Sequence, residues 1–264
     1  MSPIRPPTWL LLRGLTRGAA HWSGFAERLQ QALPGARVLT PELPGNGRRH
    51  TERSPATIGQ LTEALRADLA AAGEAGPFQV IAVSMGAMVA LDWASRHPQD
   101  LSGALLINTS VRPLSPFYRR LQPARYGPLL RCLLAGASAE DWERLILNST
   151  SAVAAHDPGR APGLIQAWAE ERRRHPVGAA NALRQLLASS RYRLPPRPPA
   201  VPMRVLSGAQ DRLVHPACSH ALARAWGLPL AVHPQAGHDL TLDAPDWVIA
   251  EALASASPIT TAQG

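Results

Sequence analysis

The stretch Phe78-Gln-Val-Ile-Ala-Val-Ser84-Met-Gly86-Ala-Met-Val-Ala-Leu-Asp-Trp-Ala94 decides how the rest of the chain is read. Its first half, with Val80, Ile81 and Val83, has the apolar, β-branched character of a buried strand, and Met85 to His97 reads as a helix. No residues are left over for a loop between the two, so the chain must turn within one residue, at Ser84. Such a corner holds its residue in a strained backbone conformation and lifts the hydroxyl clear of the sheet, which only small neighbours tolerate. Ala82, Gly86 and Ala87 are small. A serine at this junction is also an ordinary helix N-cap, so the stretch alone leaves two roles open.

Length and composition narrow the classes. At 264 residues and 45% hydrophobic content, the chain suits one large domain, or a domain with an insertion, and no apolar run approaches a membrane span. The opening Met-Ser-Pro-Ile-Arg-Pro-Pro leads into only Trp9 to Leu12 before polarity returns, with no small-residue cleavage site, so a cytoplasmic protein without membrane attachment is expected. Cys132 and Cys218 lie far apart and have no partners at metal spacing, which reads as two free thiols. His215, Cys218 and His220 fall together, but on one emerging helix they point in different directions; no metal and no cofactor are expected. All 27 basic residues are arginine, which excludes a lysine nucleophile or Schiff base.

Around the corner, strands alternate with helices. Thr8 to Arg13, Arg37 to Thr40, Gly103 to Asn108 and Leu230 to His233 read as strands; helices are expected from near His21 to Leu33, from Thr57 to Ala72, from Pro216 to Trp226 and from Pro245 to Leu253. This order predicts an α/β fold with a doubly wound, mostly parallel sheet covered on both faces.

Four further segments, with the corner, resemble the α/β-hydrolase family. Ala-x-Ser84-x-Gly is one methyl away from the family's Gly-x-Ser-x-Gly nucleophile elbow, and Arg13-Gly14-Leu15 stands where the family has His-Gly-x after a strand. Leu43-Pro-Gly-Asn-Gly-Arg48 resembles the Asp-x-Pro-Gly-x-Gly loop, Gly208-Ala-Gln-Asp211-Arg-Leu-Val214 resembles Gly-x-x-Asp-x-x-Val, and Gln235-Ala-Gly-His238 resembles the loop that delivers the base. The chain order Ser84, Asp211, His238 is the one this fold uses. The resemblance implies a six-stranded sheet and a serine hydrolase. Ser84 would be the nucleophile, His238 the base, Asp211 the acid that orients it, and the backbone N–H groups of Leu15 and Met85 the oxyanion hole. Arg13 replaces the family's usual histidine; it would prop the oxyanion loop or reach a substrate carboxylate. Trp22 is a candidate pocket wall, with core packing the plainer alternative.

The alternation stops after Asn108. From Val111 to Pro199 only helical patterns separated by breakers appear, at about Ser115–Leu121, Pro128–Leu134, Ala139–Asn148, Pro162–His175 and Gly178–Ser189. The expected division is a hydrolase core over 1–110 and 200–257, an all-helical cap over 111–199 where family members carry one, and a disordered tail over 258–264. The expected reaction is cleavage of a carboxylic ester through an acyl-enzyme. Thioesters, lactones and carbon–carbon bonds yield to the same machinery; an acyltransferase or a non-catalytic ligand-binding member also remains open. Within the family the chain looks most like carboxylesterases that act on carrier-bound acyl chains.

Charge points to a partner. The net charge is +8; Val111 to Pro199 holds 14 arginines against six acids, and the remainder cancels. The arginines lack a nucleic-acid recognition motif, so no nucleic acid is expected. A positive cap suits an anionic acyl substrate or an acidic carrier protein, with Arg172, Arg173 and Arg174 as expected contacts; a solvated arginine-rich surface is the alternative.

Overall fold

The computed structural model describes residues 7–134 and 136–256. Six strands form one sheet in the order β2-β1-β3-β4-β5-β6: β1 (Thr8–Leu12), β2 (Arg37–Leu39), β3 (Phe78–Val83), β4 (Leu101–Ile107), β5 (Met203–Gly208) and β6 (Leu230–His233). Every pairing is parallel, and β1 and β3 run side by side from Thr8 opposite Phe78 to Leu12 opposite Ala82. β1, β3 and most of β4 are buried, as strands covered on both faces must be.

Side chains alternate between the two faces. Leu10, Leu12, Val80, Ala82, Ala104, Leu106 and Val205 pack under α2 (Ile58–Ala71), α3 (Met85–Arg96) and α10 (Ala217–Trp226). Trp9, Leu11, Ile81, Val83, Leu105, Ile107 and Leu206 pack under α1 (Phe25–Ala32) and α12 (Pro245–Ala256). The architecture is therefore the doubly wound sheet that the alternation predicts.

Between β4 and β5 the chain forms α4 (Phe117–Arg120), α5 (Tyr126–Leu134), α6 (Ala139–Thr150), α7 (Val153–His156), α8 (Ala161–Arg174) and α9 (Ala179–Arg191). Among the described residues this helical insertion contains no strand, apart from one isolated bridge between Arg112 and Arg193. Its own small core joins Leu147, Val153 and Trp168 to Leu242 of α11 (Leu240–Asp243).

Three local expectations differ. The helix expected from His21 is split: a 3-10 turn (Ala19–Trp22) is separated from α1 by Ser23 and Gly24, both at positive φ. α4 is one short turn, and α7 lacks a sequence signal long enough to be read. α12 continues to Ala256, past the expected end at Leu253; the tail at 258–264 lies outside the described residues. Among the described residues, no helix is long and apolar enough to cross a membrane.

Candidate active site

Ser84 stands alone between β3 and α3, with φ 57° and ψ −114°. A β-carbon residue at positive φ costs on the order of 1–3 kcal/mol and persists only where its surroundings hold it. Here the Ser84 N–H donates to the Ile107 carbonyl at 2.9 Å, and the Thr109 hydroxyl donates to the Ser84 carbonyl at 3.0 Å. Gly86 is required by the same turn: a β-carbon there would stand 2.4 Å from the Leu12 carbonyl oxygen. The N-cap alternative fails in its usual form, because the Ser84 side chain makes no capping bond; among the described residues the hydroxyl has no hydrogen-bond partner, and the residue is half-buried.

Asp211 and His238 meet. His238 Nδ1 lies 2.7 Å from Asp211 Oδ2, while Asp211 Oδ1 accepts from the N–H groups of Leu213 and Val214 at 2.8 and 2.9 Å. Both carboxylate oxygens are thus engaged, which fixes the plane of the acid and leaves the imidazole's Nε2 as its working nitrogen. Both residues are buried, yet His238 retains 5% exposure.

Asn108, at the end of β4, ties these parts together and was not singled out in the sequence. Its Nδ2 donates to the carbonyls of Gly237 and His238 at 3.0 and 2.8 Å, and its Oδ1 accepts from the Gly208 N–H at 2.9 Å. It does so from φ 45°, a conformation that asparagine tolerates better than most residues. An asparagine closing a buried strand beside the corner strand was the available signal.

The loop after β1 faces the serine. A β-carbon on Gly14 would lie 3.2 Å from Ser84 Cβ and 3.7 Å from its Oγ. Among the described residues no group accepts from the N–H of Leu15 or of Met85, the first residue of α3. An unengaged N–H at a helix start is a ready hydrogen-bond donor for an anion.

Arg13 and Trp22 sit behind this loop. Arg13 is buried, and its guanidinium donates to both oxygens of Asp239 at 3.0 and 2.6 Å and lies 4.8 Å from the Trp22 ring centre. Burial pushes the Asp239 carboxyl up, but the Arg13 guanidinium outweighs it and holds the group below its ordinary value. Trp22 stacks on Phe25 within the core of that face. Both side chains therefore have protein partners.

Each loop of the site also touches the helical insertion. Arg17 and Arg172 share the fully buried carboxylate of Glu143, at 2.6 and 2.7 Å. Gln122 Nε2 donates to the Asp211 carbonyl at 2.9 Å, and the Asp239 N–H donates to the Thr150 carbonyl at 2.7 Å. His21, beneath Trp168 of α8, is held well below the ordinary histidine value by burial and by Arg17 and Arg13, so its imidazole is neutral. Among the described residues no group of three His, Cys, Asp or Glu side chains converges as a metal ion would require, around His215, Cys218 and His220 included, and Cys132 and Cys218 are free thiols.

The family model described as alpha/beta hydrolase family matches residues 9–251. Among curated proteins, the pimeloyl-[acyl-carrier protein] methyl ester esterase of Aromatoleum aromaticum is 29% identical over 91% of this chain and 94% of that protein. Among solved structures, the enol-lactonase from Burkholderia xenovorans LB400 superposes with a TM-score of 0.75 at 19% identity, covering 95% of this chain and 91% of that one. A thermophilic esterase from Thermogutta terrifontis superposes with a TM-score of 0.72 at 21% identity, covering 94% and 88%. At such identities the two structures speak to the fold. With the family match running from β1 into α12, the chain belongs to the alpha/beta hydrolase family.

Proposed function

We propose that this protein is a serine esterase that cleaves a carboxylic ester through an acyl-enzyme, with Ser84, His238 and Asp211 as its triad. The observation that carries the reading is the strained, uncapped Ser84 at the head of α3, on a scaffold that also presents the His238–Asp211 pair. In this mechanism Ser84 Oγ attacks the ester carbonyl and gives its proton to His238 Nε2. The Asp211 carboxylate accepts from Nδ1–H and stabilises the imidazolium. The oxyanion meets the N–H groups of Leu15 and Met85, where charge develops in a site largely shielded from water. His238 then protonates the leaving alcohol, and a water activated by the same nitrogen releases the acid. The helical insertion at 111–199 serves as the cap over the nucleophile.

The acyl group is proposed to arrive on an acidic carrier protein. A relative of this chain is named for an acyl-carrier-protein ester, and the cap's charge is complementary to such a partner. The contacts differ from those expected in the sequence. Arg172 is spent on Glu143, Arg173 on Glu140 and Glu170, and Arg174 on Glu170. By contrast no acid occurs between Asp100 and Glu140. Within that span Arg119 and Arg131 are exposed and have no ion-pair partner among the described residues, beside Phe117, Leu130 and Leu134, which are 74%, 55% and 79% exposed. This arginine and apolar surface on α4 and α5 is the proposed docking face.

The direct experiment is labelling with a fluorophosphonate probe, with the modified residue identified by peptide mass. Modification of Ser84, abolished by prior denaturation, is the expected result. Absence of labelling together with absence of ester turnover would overturn the reading.

A further inference from the structure

The cap's Gln185 reaches through to the backbone of the oxyanion loop. Gln185 projects from α9, is fully buried, and accepts the Thr16 N–H on its Oε1 at 2.8 Å. Its Nε2 donates to Asn46 Oδ1 at 2.8 Å, so both ends of the buried amide are paired. Burying an amide in a helix face is costly unless both ends find partners, and the partner here is the loop itself.

That loop needs holding. Thr16 is β-branched and stands at φ 59°, a conformation unfavourable for its type, and it directly follows Leu15. The peptide unit is planar, so fixing the direction of the Thr16 N–H fixes the plane that begins at the Leu15 carbonyl. On the far side, Arg17 is anchored to Glu143 of α6 and its N–H returns to the Gly14 carbonyl at 3.3 Å. Leu15 thus sits between a glycine that abuts Ser84 and two residues pinned by different helices of the cap.

We propose that Gln185 is a positioning residue for catalysis, holding the Leu15 N–H in the oxyanion hole through its hydrogen bond to the Thr16 backbone. The proposal rests on the esterase reading for its kinetic consequence, but its structural consequence stands apart. The cap is on this view a working part of the oxyanion hole as well as a wall of the pocket. The buried Asn46 Nδ2, which has no partner among the described residues, gives the network a built-in repair: with glutamate at position 185, Asn46 can turn its amide to donate, and Thr16 keeps its acceptor.

The test compares Gln185→Leu with Gln185→Glu. In Gln185→Leu, kcat for a small neutral ester is expected to fall about tenfold to a hundredfold with little change in KM, as small misplacements at a reacting centre do. Affinity for a boronic acid, which mimics the tetrahedral oxyanion, should fall by the same factor. Gln185→Glu should recover most of the lost kcat. Independently of activity, hydrogen exchange at the Thr16 amide should be slow in the wild type and fast in Gln185→Leu, with the protection of β1 and β3 unchanged. A folded Gln185→Leu protein with wild-type kcat, a loss confined to KM, an equal loss in Gln185→Glu, or an unprotected Thr16 amide in the wild type would each overturn the proposal. Inactivity of the wild type towards every ester would sink the esterase reading instead, and the exchange result would still decide the structural claim.

Discussion

Arg13 and Asp239, 226 positions apart in the chain, form a buried two-pronged ion pair that joins the residue before Gly14 to the residue after His238. The arginine that stands in the family's histidine position is thus committed to a carboxylate of the protein itself. This favours the propping role over recognition of a substrate acid. Arg13→Gln and Asp239→Asn should each slow neutral and acid-bearing esters by a similar factor, and each should lower stability by roughly 3–5 kcal/mol as an unpaired buried charge is left behind. In the double variant the losses should be far from additive. Chemical denaturation and kcat/KM for two ester classes measure both; a selective loss on acid-bearing esters would return Arg13 to substrate recognition.

Ser84→Ala and His238→Ala should each lower ester turnover by several powers of ten, roughly to what binding and the oxyanion hole provide. The double variant should be no worse than either single one. Ser84→Ala keeps the β-carbon and removes no packing group from the core, so melting should be essentially unchanged. Near-wild-type hydrolysis by the folded Ser84→Ala protein would refute the triad.

Acid should loosen the junction between the helical insertion and the sheet through His21. Its value in the folded protein lies well below the ordinary 6.5, so on acidification the unfolded chain takes up a proton first. The unfolded state then binds more protons, and stability falls as pH drops below about 6.5 with a slope of at most about 1.4 kcal/mol per pH unit from this group; above that pH the group contributes no slope. His21→Asn retains an acceptor for the Gly18 N–H, which now donates to Nδ1 at 3.1 Å, and cannot titrate. Thermal melts at a series of pH values should show a shallower acid loss in this variant, and parallel curves would dismiss the account.

Salt should separate two kinds of substrate. If α4 and α5 dock an acidic carrier, raising the ionic strength should slow the carrier-bound ester and leave a small neutral ester unaffected. Arg119→Glu combined with Arg131→Glu should abolish that salt dependence, whereas Arg174→Glu, whose guanidinium is already paired with Glu170, should have a much smaller effect. Equal salt responses for both substrates would make the basic surface an ordinary one.

The parts of this molecule that were legible in its sequence are the parts written locally. Ser84 announces itself because a strand and a helix abut with no loop between them, and the parallel sheet covered on both faces follows from strands that alternate with helices. Residues that act across long separations left no such trace. Asn108, Glu143 and Gln185 look in sequence like an ordinary strand end, a helix acid and a helix amide, and each has a partner 100 or more positions away. The run Arg172 to Arg174 misled for the opposite reason: its neutralising acids, Glu170 on the same helix and Glu140 and Glu143 on α6, were in view but could be paired only in space. The break at Ser23 and Gly24 lay hidden under an apolar period that continues across it.

Glu143 carries a last implication, for descent. One buried carboxylate serves two guanidinium groups, from the loop after β1 and from α8, with Trp168 and Trp142 beneath them. Loss of the acid would leave a buried cation, Arg17, and a half-buried one, Arg172, without their shared carboxylate at once, so no single neutral step leads away from this arrangement. Positions 17, 143 and 172 should therefore be inherited together or replaced together across lineages, with the two tryptophans shrinking only where the charges have already gone.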